Sequence, residues 1–73
     1  MKIKQLIEVS YQTDVFLNEL TPSKTGKLYD ENYVFIGEIH DIPLEYRERK
    51  IRSIAYNYDK THYLFITLEP KNT

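Results

Sequence analysis

The sequence has no cysteine and only two glycines among its 73 residues. The lack of cysteine excludes thiol catalysis, cysteine-based metal sites and a disulfide framework, and it is compatible with a reducing cytoplasm. No apolar run approaches the roughly 20 residues of a membrane-spanning helix, and none near the N-terminus is long enough for a signal peptide. We therefore expect one small cytoplasmic domain, residues 1–73, that has no membrane partner.

Size and charge set two further bounds. A chain this short buries only about 60% of the surface that it exposes when unfolded, so its core is marginal. The formal net charge is -1. That balance argues against a general nucleic-acid coat, although it leaves local basic patches open.

The strongest pattern is KIRSIAYNYDKTHYLFITLE, from Lys50 to Glu69. Two runs rich in β-branched and aromatic residues flank a polar turn that contains Asn57 and Asp59, which predicts an antiparallel hairpin. An even-length loop is favoured because it keeps the two apolar sets of side chains apart. The predicted pairs are Ile51–Leu68, Ser53–Ile66, Ala55–Leu64, Ile54–Phe65 and Tyr56–Tyr63.

This register gives the hairpin an aliphatic face and an aromatic face, since side chains alternate along a strand. Two apolar faces exceed what a sheet with one side in water requires. We expect the drier aliphatic face to be covered first, which leaves the aromatic face partly open as a binding surface. The aromatic face consists of Ile54, Tyr56, Tyr58, Tyr63 and Phe65.

The N-terminal half is less uniform. Residues 2–11 fit an alternating edge strand better than a helix, although a helical stripe through Ile3, Leu6, Ile7 and Tyr11 is also present. Residues 14–20 fit either a strand or a short helix. Residues 21–31 form a mobile polar loop by composition.

The next segment, residues 33–40, is apolar on both sides and predicts an interior strand. Gly37 in this strand marks a bulge or a close approach. Residues 41–49 predict one or two helical turns, with Glu45–Arg49 and Glu48–Arg52 in the favourable i, i+4 order. Residues 70–73 are expected to fray.

The predicted fold is therefore mainly β, with α+β as the neighbouring class. We expect a small antiparallel sheet of four or five strands, with one short helix before the C-terminal hairpin. The same order of elements also matches a partly open OB-type barrel.

Candidate chemistry is sparse. His40 and His62 are the only histidines, and they lack the close spacing of a metal-binding pair, so we predict no metal and no cofactor. The serines have no recognisable base beside them, and Asp30 and Glu31 pair only as loop neighbours. The sequence therefore predicts a protein that is not an enzyme.

Positive charge is concentrated in one place, a basic cluster beside the tyrosines that consists of Arg47, Arg49, Lys50 and Arg52. It supports two hypotheses: a small protein-interaction or regulatory module, with self-association as the simplest case, or a single-stranded nucleic-acid-binding protein that combines arginines with stacking rings. The candidate binding residues are Ile54, Tyr56, Tyr58, Tyr63, Phe65, Arg47, Arg49, Lys50 and Arg52.

Overall fold

The computed structural model of this chain describes residues 1–56 and 63–71. These residues form a mainly β fold with one sheet of four strands, which confirms the predicted class. The elements are, in chain order, α1 (Ile3–Val9), β1 (Asp14–Pro22), β2 (Tyr29–Glu38), two 3-10 turns (Ile39–Asp41 and Leu44–Tyr46), β3 (Ile51–Tyr56) and β4 (Leu64–Leu68).

The sheet has the strand order β2-β1-β4-β3, so β2 and β3 are its two edges. The β1–β2 and β3–β4 pairs are antiparallel, whereas the central β1–β4 pair is parallel. The predicted all-antiparallel sheet is therefore wrong, and the edges do not meet in a barrel. The physical reason is that β2 ends beside Asp14 while β3 begins beside Leu68, at the opposite end of the sheet. The connection must run the length of the sheet, and it covers one face as it does so.

The core lies between that covered face and a layer made of α1 and the β2–β3 connection. Burial of aliphatic side chains on this side is the main source of stability, at about 1.5–3 kcal/mol for each fully buried side chain. The predicted covering of the aliphatic side of β4 is confirmed. The fully buried cluster consists of Ile3, Val15, Leu17, Ile39, Ile42, Ile66 and Leu68.

Residues 3–9 form a helix, so the predicted N-terminal edge strand is wrong and the helical alternative is right. Ile3 is fully buried, and Leu6 and Ile7 pack against the core. The backbone N–H groups of Ile3 and Lys4 donate to the carbonyl oxygens of Arg49 and Arg47, at 3.1 and 2.9 Å. The tertiary structure thus supplies the hydrogen bonds that a seven-residue helix lacks at its first turn.

The β2 strand lies at an edge, so the predicted interior position is wrong. The strand is apolar on both sides for a different reason: one side faces the core, and the other belongs to the face of the sheet that α1 does not cover. Gly37 does mark a close approach: a Cβ there would lie 2.9 Å from Cζ of the Phe35 ring. The register shift falls instead at Val34, which is an extra residue between the pairs Leu17–Phe35 and Asn18–Tyr33.

The C-terminal hairpin is antiparallel as predicted, but its register differs. Ile51 pairs with Leu68 as expected, whereas Ile54 pairs with Ile66 and Ala55 with Phe65. A bulge at Arg52 inserts one extra residue into β3 and shifts every later pair by one position. The predicted turn at residues 57–61 lies outside the described residues.

The predicted helical turns before the hairpin are present as two 3-10 turns, with Pro43 just ahead of the second. The loop between β1 and β2 spans residues 23–28 and is shorter than the predicted 21–31. Pro70 is buried and Lys71 is exposed. Across the described part of the chain, no helix is long and apolar enough to cross a membrane.

Candidate functional site: an uncovered sheet face

The side of the sheet opposite α1 carries two rows of side chains that run across all four strands. Strand pairing and alternation fix the members of each row, in the order β2, β1, β4, β3. None of these eight residues is buried. We call them the open face; the first row is Ile36, Phe16, Phe65 and Ala55, and the second is Tyr33, Asn18, Thr67 and Ser53.

Three aromatic rings lie at the centre of the open face. The ring centroid of Phe16 lies 5.2 Å from that of Phe65 and 5.3 Å from that of Tyr33, with the ring planes tilted by 57° and 52°. Tilted pairs at this separation attract one another beyond the area that they bury. The cluster is therefore held in place from within and presents a preformed apolar surface.

The open face is uncharged, because none of its eight members is Asp, Glu, Lys or Arg. Its outer aromatic and aliphatic members are well exposed: Tyr33 at 58% and Ile36 at 42%. A contiguous exposed apolar patch on a small domain usually marks a contact site for a partner. The rim carries Arg52, which pairs with Glu69 at 3.3 Å.

The structure divides the predicted aromatic face. Phe65 lies on the open face, but Ile54 and Tyr56 pair with Ile66 and Leu64 on the other side of the sheet, because the bulge at Arg52 reverses their orientation. Tyr63 is half-buried immediately before β4, and Tyr58 lies outside the described residues. The five predicted residues therefore do not form one surface.

The predicted arginine cluster is likewise dispersed, because each guanidinium has a different partner. Arg47 donates to the carbonyl oxygens of Ile42 and His40, at 3.0 and 2.9 Å. Arg49 donates to Glu19 and to the carbonyl oxygen of Glu69, both at 2.9 Å. These arginines hold the connection and the chain end against the sheet, so the predicted role in phosphate binding has no support from their geometry.

The predicted i, i+4 ion pairs from Glu45 and Glu48 are replaced by longer-range ones. Glu48 pairs with Lys2 and Lys4, at 3.1 and 2.8 Å, and joins α1 to the connection. Hydrogen bonding from Lys4 is the main cause of the lowered pKa of Glu48, and the same bond raises the pKa of Lys4. Lys50 pairs through its backbone with Lys2.

His40 takes part in a local hydrogen-bond network. Its Nδ1 lies 2.7 Å from Oε1 of Glu38, and its backbone N–H donates to Oε2 at 2.7 Å. The backbone N–H of Thr13 also donates to this carboxylate, at 3.2 Å. The side-chain bond to His40 is the largest cause of the lowered pKa of Glu38. The Glu38 carboxylate thus links the residue before β1 to the turn that follows β2.

Within the described residues, no group of three or more histidine and carboxylate side chains could hold a metal ion, and His62 lies outside those residues. An open hollow of about 820 Å³ beside Leu20 brings Asp30 and Glu31 near Lys27 and Arg52. Its polar lining consists of charged and amide side chains together with Tyr29.

Sequence reasoning did not identify most of the open face. A regular strand would place Tyr33 and Ile36 on opposite sides, because they are three residues apart. The extra residue at Val34 brings both to the same side. The signal that was available is the alternation in β1, where Phe16 and Asn18 alternate with the buried Val15 and Leu17. No protein-family model, curated protein or solved structure matches this chain.

Proposed function

We propose that this protein is a small non-enzymatic interaction module that docks a protein on its open face. The observation that carries the proposal is the uncharged aromatic cluster of Phe16, Tyr33 and Phe65 on an uncovered sheet surface. Rings of this kind are suited to burial against a partner, because aromatic residues bury a large apolar area and are enriched at protein interfaces. The sheet behind the rings holds them rigid, so a partner need not order them.

A second candidate is binding of single-stranded nucleic acid. One observation favours it: aromatic rings on the central strands of a four-stranded sheet can stack unpaired bases. The charge distribution opposes it, since the open face lacks a cation and Arg47 and Arg49 are held by internal partners. Protein docking therefore accounts for more of the observations.

The test compares four forms of the protein, the wild type and three variants, as bait in extracts of its native cells. Phe65→Asp places a charge among the rings and should abolish recovery of the partner. Tyr11→Asp is the matched control, because Tyr11 is 93% exposed and is not part of the open face. Ala55→Asp is a second test variant: it charges the same face at an exposed, small residue.

Salt separates the two candidates. Phosphate contacts are lost steeply between about 0.1 and 0.5 M salt, whereas an apolar protein contact persists. The proposal predicts a protein recovered by the wild type and by Tyr11→Asp at both salt concentrations, and lost with both open-face variants. Recovery of salt-sensitive nucleic acid favours the second candidate. Equal recovery by all four forms contradicts a role for the open face.

A further inference from the structure

We propose that the partner on the open face is a second copy of this chain. The two sheets pack face to face about a two-fold axis that runs along the seam between β1 and β4. This inference rests on the proposed function, because it names the occupant of the same surface. The seam is the midline of the sheet, with two strands on either side, so a two-fold there places β1 over the partner's β4 and β2 over the partner's β3.

The first row of the open face is complementary to itself about this axis. Phe16 and Phe65 flank the seam, so each ring meets the other kind of ring from the second copy. Ile36 on the outer strand β2 falls over Ala55 of β3 in the second copy. A large side chain thus meets a small one at each side, and rings meet at the centre.

The second row is also complementary to itself about this axis, with polar side chains at its centre instead of rings. Asn18 and Thr67 flank the seam, so the amide of one copy faces the hydroxyl of the other, where they can form a hydrogen bond. Tyr33 on β2 falls over Ser53 on β3 of the second copy. In both rows, therefore, a large side chain on β2 of one copy lies over a small side chain on β3 of the other. Interdigitation of this kind packs the inner faces of two sheets.

The dimensions of the domain fit such an interface. The described chain measures 38 × 29 × 17 Å, and the short axis matches a sheet with one covering layer. An ellipse of the two longer axes covers about 900 Å², which is an upper limit on the outline of this side and exceeds the roughly 800 Å² that each partner contributes to a standard interface. The surface is thus large enough for a specific dimer when most of this side is used.

Charge and the strand edges point the same way. The eight residues of the open face carry no charge, so their contact with a second copy brings no like charges together. Three charged residues lie on the same side at the ends of the strands: Asp14, Glu31 and Glu38. Arg52 and Glu69 pair at the rim. Addition of a strand at an edge is the competing mode, but β2 and β3 each carry a bulge, at Val34 and Arg52. Bulges on edge strands disfavour edge-to-edge pairing. The flat face is therefore the better surface for a second copy.

The decisive experiment exchanges the large and small members of one outer pair. Ala55→Ile alone opposes two large side chains and should raise the dissociation constant measured by sedimentation equilibrium about tenfold or more. The double variant Ile36→Ala/Ala55→Ile restores one large and one small side chain at each contact. It should return the constant to within about threefold of the wild type. Circular dichroism confirms that each variant is folded.

Cross-linking tests the geometry separately, since the chain has no cysteine of its own. Tyr33→Cys and Ser53→Cys chains are mixed and treated with a bismaleimide that spans about 10 Å, the usual distance between packed sheets. The mixture should form a covalent dimer. Either variant alone should not, because its two thiols are separated by a further three strand spacings of about 4.8 Å each.

The outcomes distinguish this inference from the more general one. Rescue by the exchange and cross-linking only in the mixture support the face-to-face dimer. A wild type that stays monomeric at millimolar concentration overturns it. In that case, if the protein captures a different partner and Phe65→Asp abolishes the capture, the docking function still stands. If no partner is captured, both the dimer and the docking function are overturned. A dimer that the double variant fails to rescue also overturns the inference, because it forms in another way.

Discussion

Phe16 and Phe65 lie directly opposite each other on the two central strands, the only parallel pair among the described residues, and their ring centroids are 5.2 Å apart. Both rings are half-buried on the side of the sheet that α1 does not cover. Complete burial of such a side chain is worth about 1.5–3 kcal/mol relative to exposure. The isolated domain therefore leaves a substantial part of its apolar stabilisation unused at its centre.

The docking of α1 gives the first prediction. Ile3→Ala should lower the free energy of unfolding by about 2–5 kcal/mol, because Ile3 is fully buried between the helix and the sheet. Val9→Ala in the same helix is the control: Val9 is 75% exposed, so its change should stay within about 0.5 kcal/mol. Urea unfolding measures both. Equal effects would show that the helix does not pack on the sheet.

Gly37 gives the second prediction. Gly37→Ala should cost about 1–3 kcal/mol, because φ at this position is +156°, which L side chains rarely adopt, and the new Cβ would also meet the ring of Phe35 at 2.9 Å. Phe35→Leu in the same chain removes the end of that ring and should recover part of the loss. Gly26→Ala provides a comparison in which the Cβ meets open space and only the positive φ of +92° is unfavourable. A double-mutant cycle that gives no coupling between positions 35 and 37 would refute the close approach.

The third prediction compares two ion pairs that differ in burial. Arg49→Met should cost about 1.5–3 kcal/mol, because its pair with Glu19 is 12% and 22% exposed and its guanidinium also binds a carbonyl oxygen. Arg52→Met removes an exposed pair with Glu69, which is worth about 1 kcal/mol or less. Thermal unfolding at low and high salt distinguishes them. The prediction is that Arg49→Met lowers the stability more than Arg52→Met does, and a larger loss of stability with Arg52→Met contradicts it.

The fourth prediction concerns pH. Hydrogen bonds from His40 and Thr13 lower the pKa of Glu38 in the folded protein. The unfolded chain therefore binds the proton more readily, so this stabilisation is present above the ordinary carboxyl pKa of about 4.3 and is lost as pH falls through the folded value. Glu38→Gln should lower the melting temperature most near neutral pH. The deficit should shrink in acid; a deficit independent of pH would sink the idea.

Much of the architecture could be predicted from alternation and turn chemistry alone. The β class, the C-terminal hairpin, its Ile51–Leu68 pair and the burial of one side of β4 all follow from period-two patterns. Residues 3–9 could not be settled, because a seven-residue segment is too short for a helical stripe to outweigh an alternating one. Packing of Ile3 on the sheet decides the conformation there.

The site was harder to predict for a different physical reason. Side-chain orientation has a period of two, so one inserted residue reverses every assignment beyond it. The bulge at Arg52 moved Ile54 and Tyr56 away from Phe65, and the bulge at Val34 moved Ile36 beside Tyr33. Neither insertion has a glycine or proline to reveal it. The existence of an apolar surface could be inferred, but not its members.

The parallel pairing of β1 with β4 also sets an order for folding. The β1–β2 and β3–β4 hairpins are local units, and each can close soon after its two strands have left the ribosome. The contact between Val15 and Leu64 that joins them links residues 49 positions apart (64 − 15), and contacts of such long sequence separation form slowly. Until β4 has been synthesised, the inner edge of β1 therefore remains unpaired. A nascent chain is consequently most vulnerable to aggregation in the interval between completion of β2 and arrival of β4.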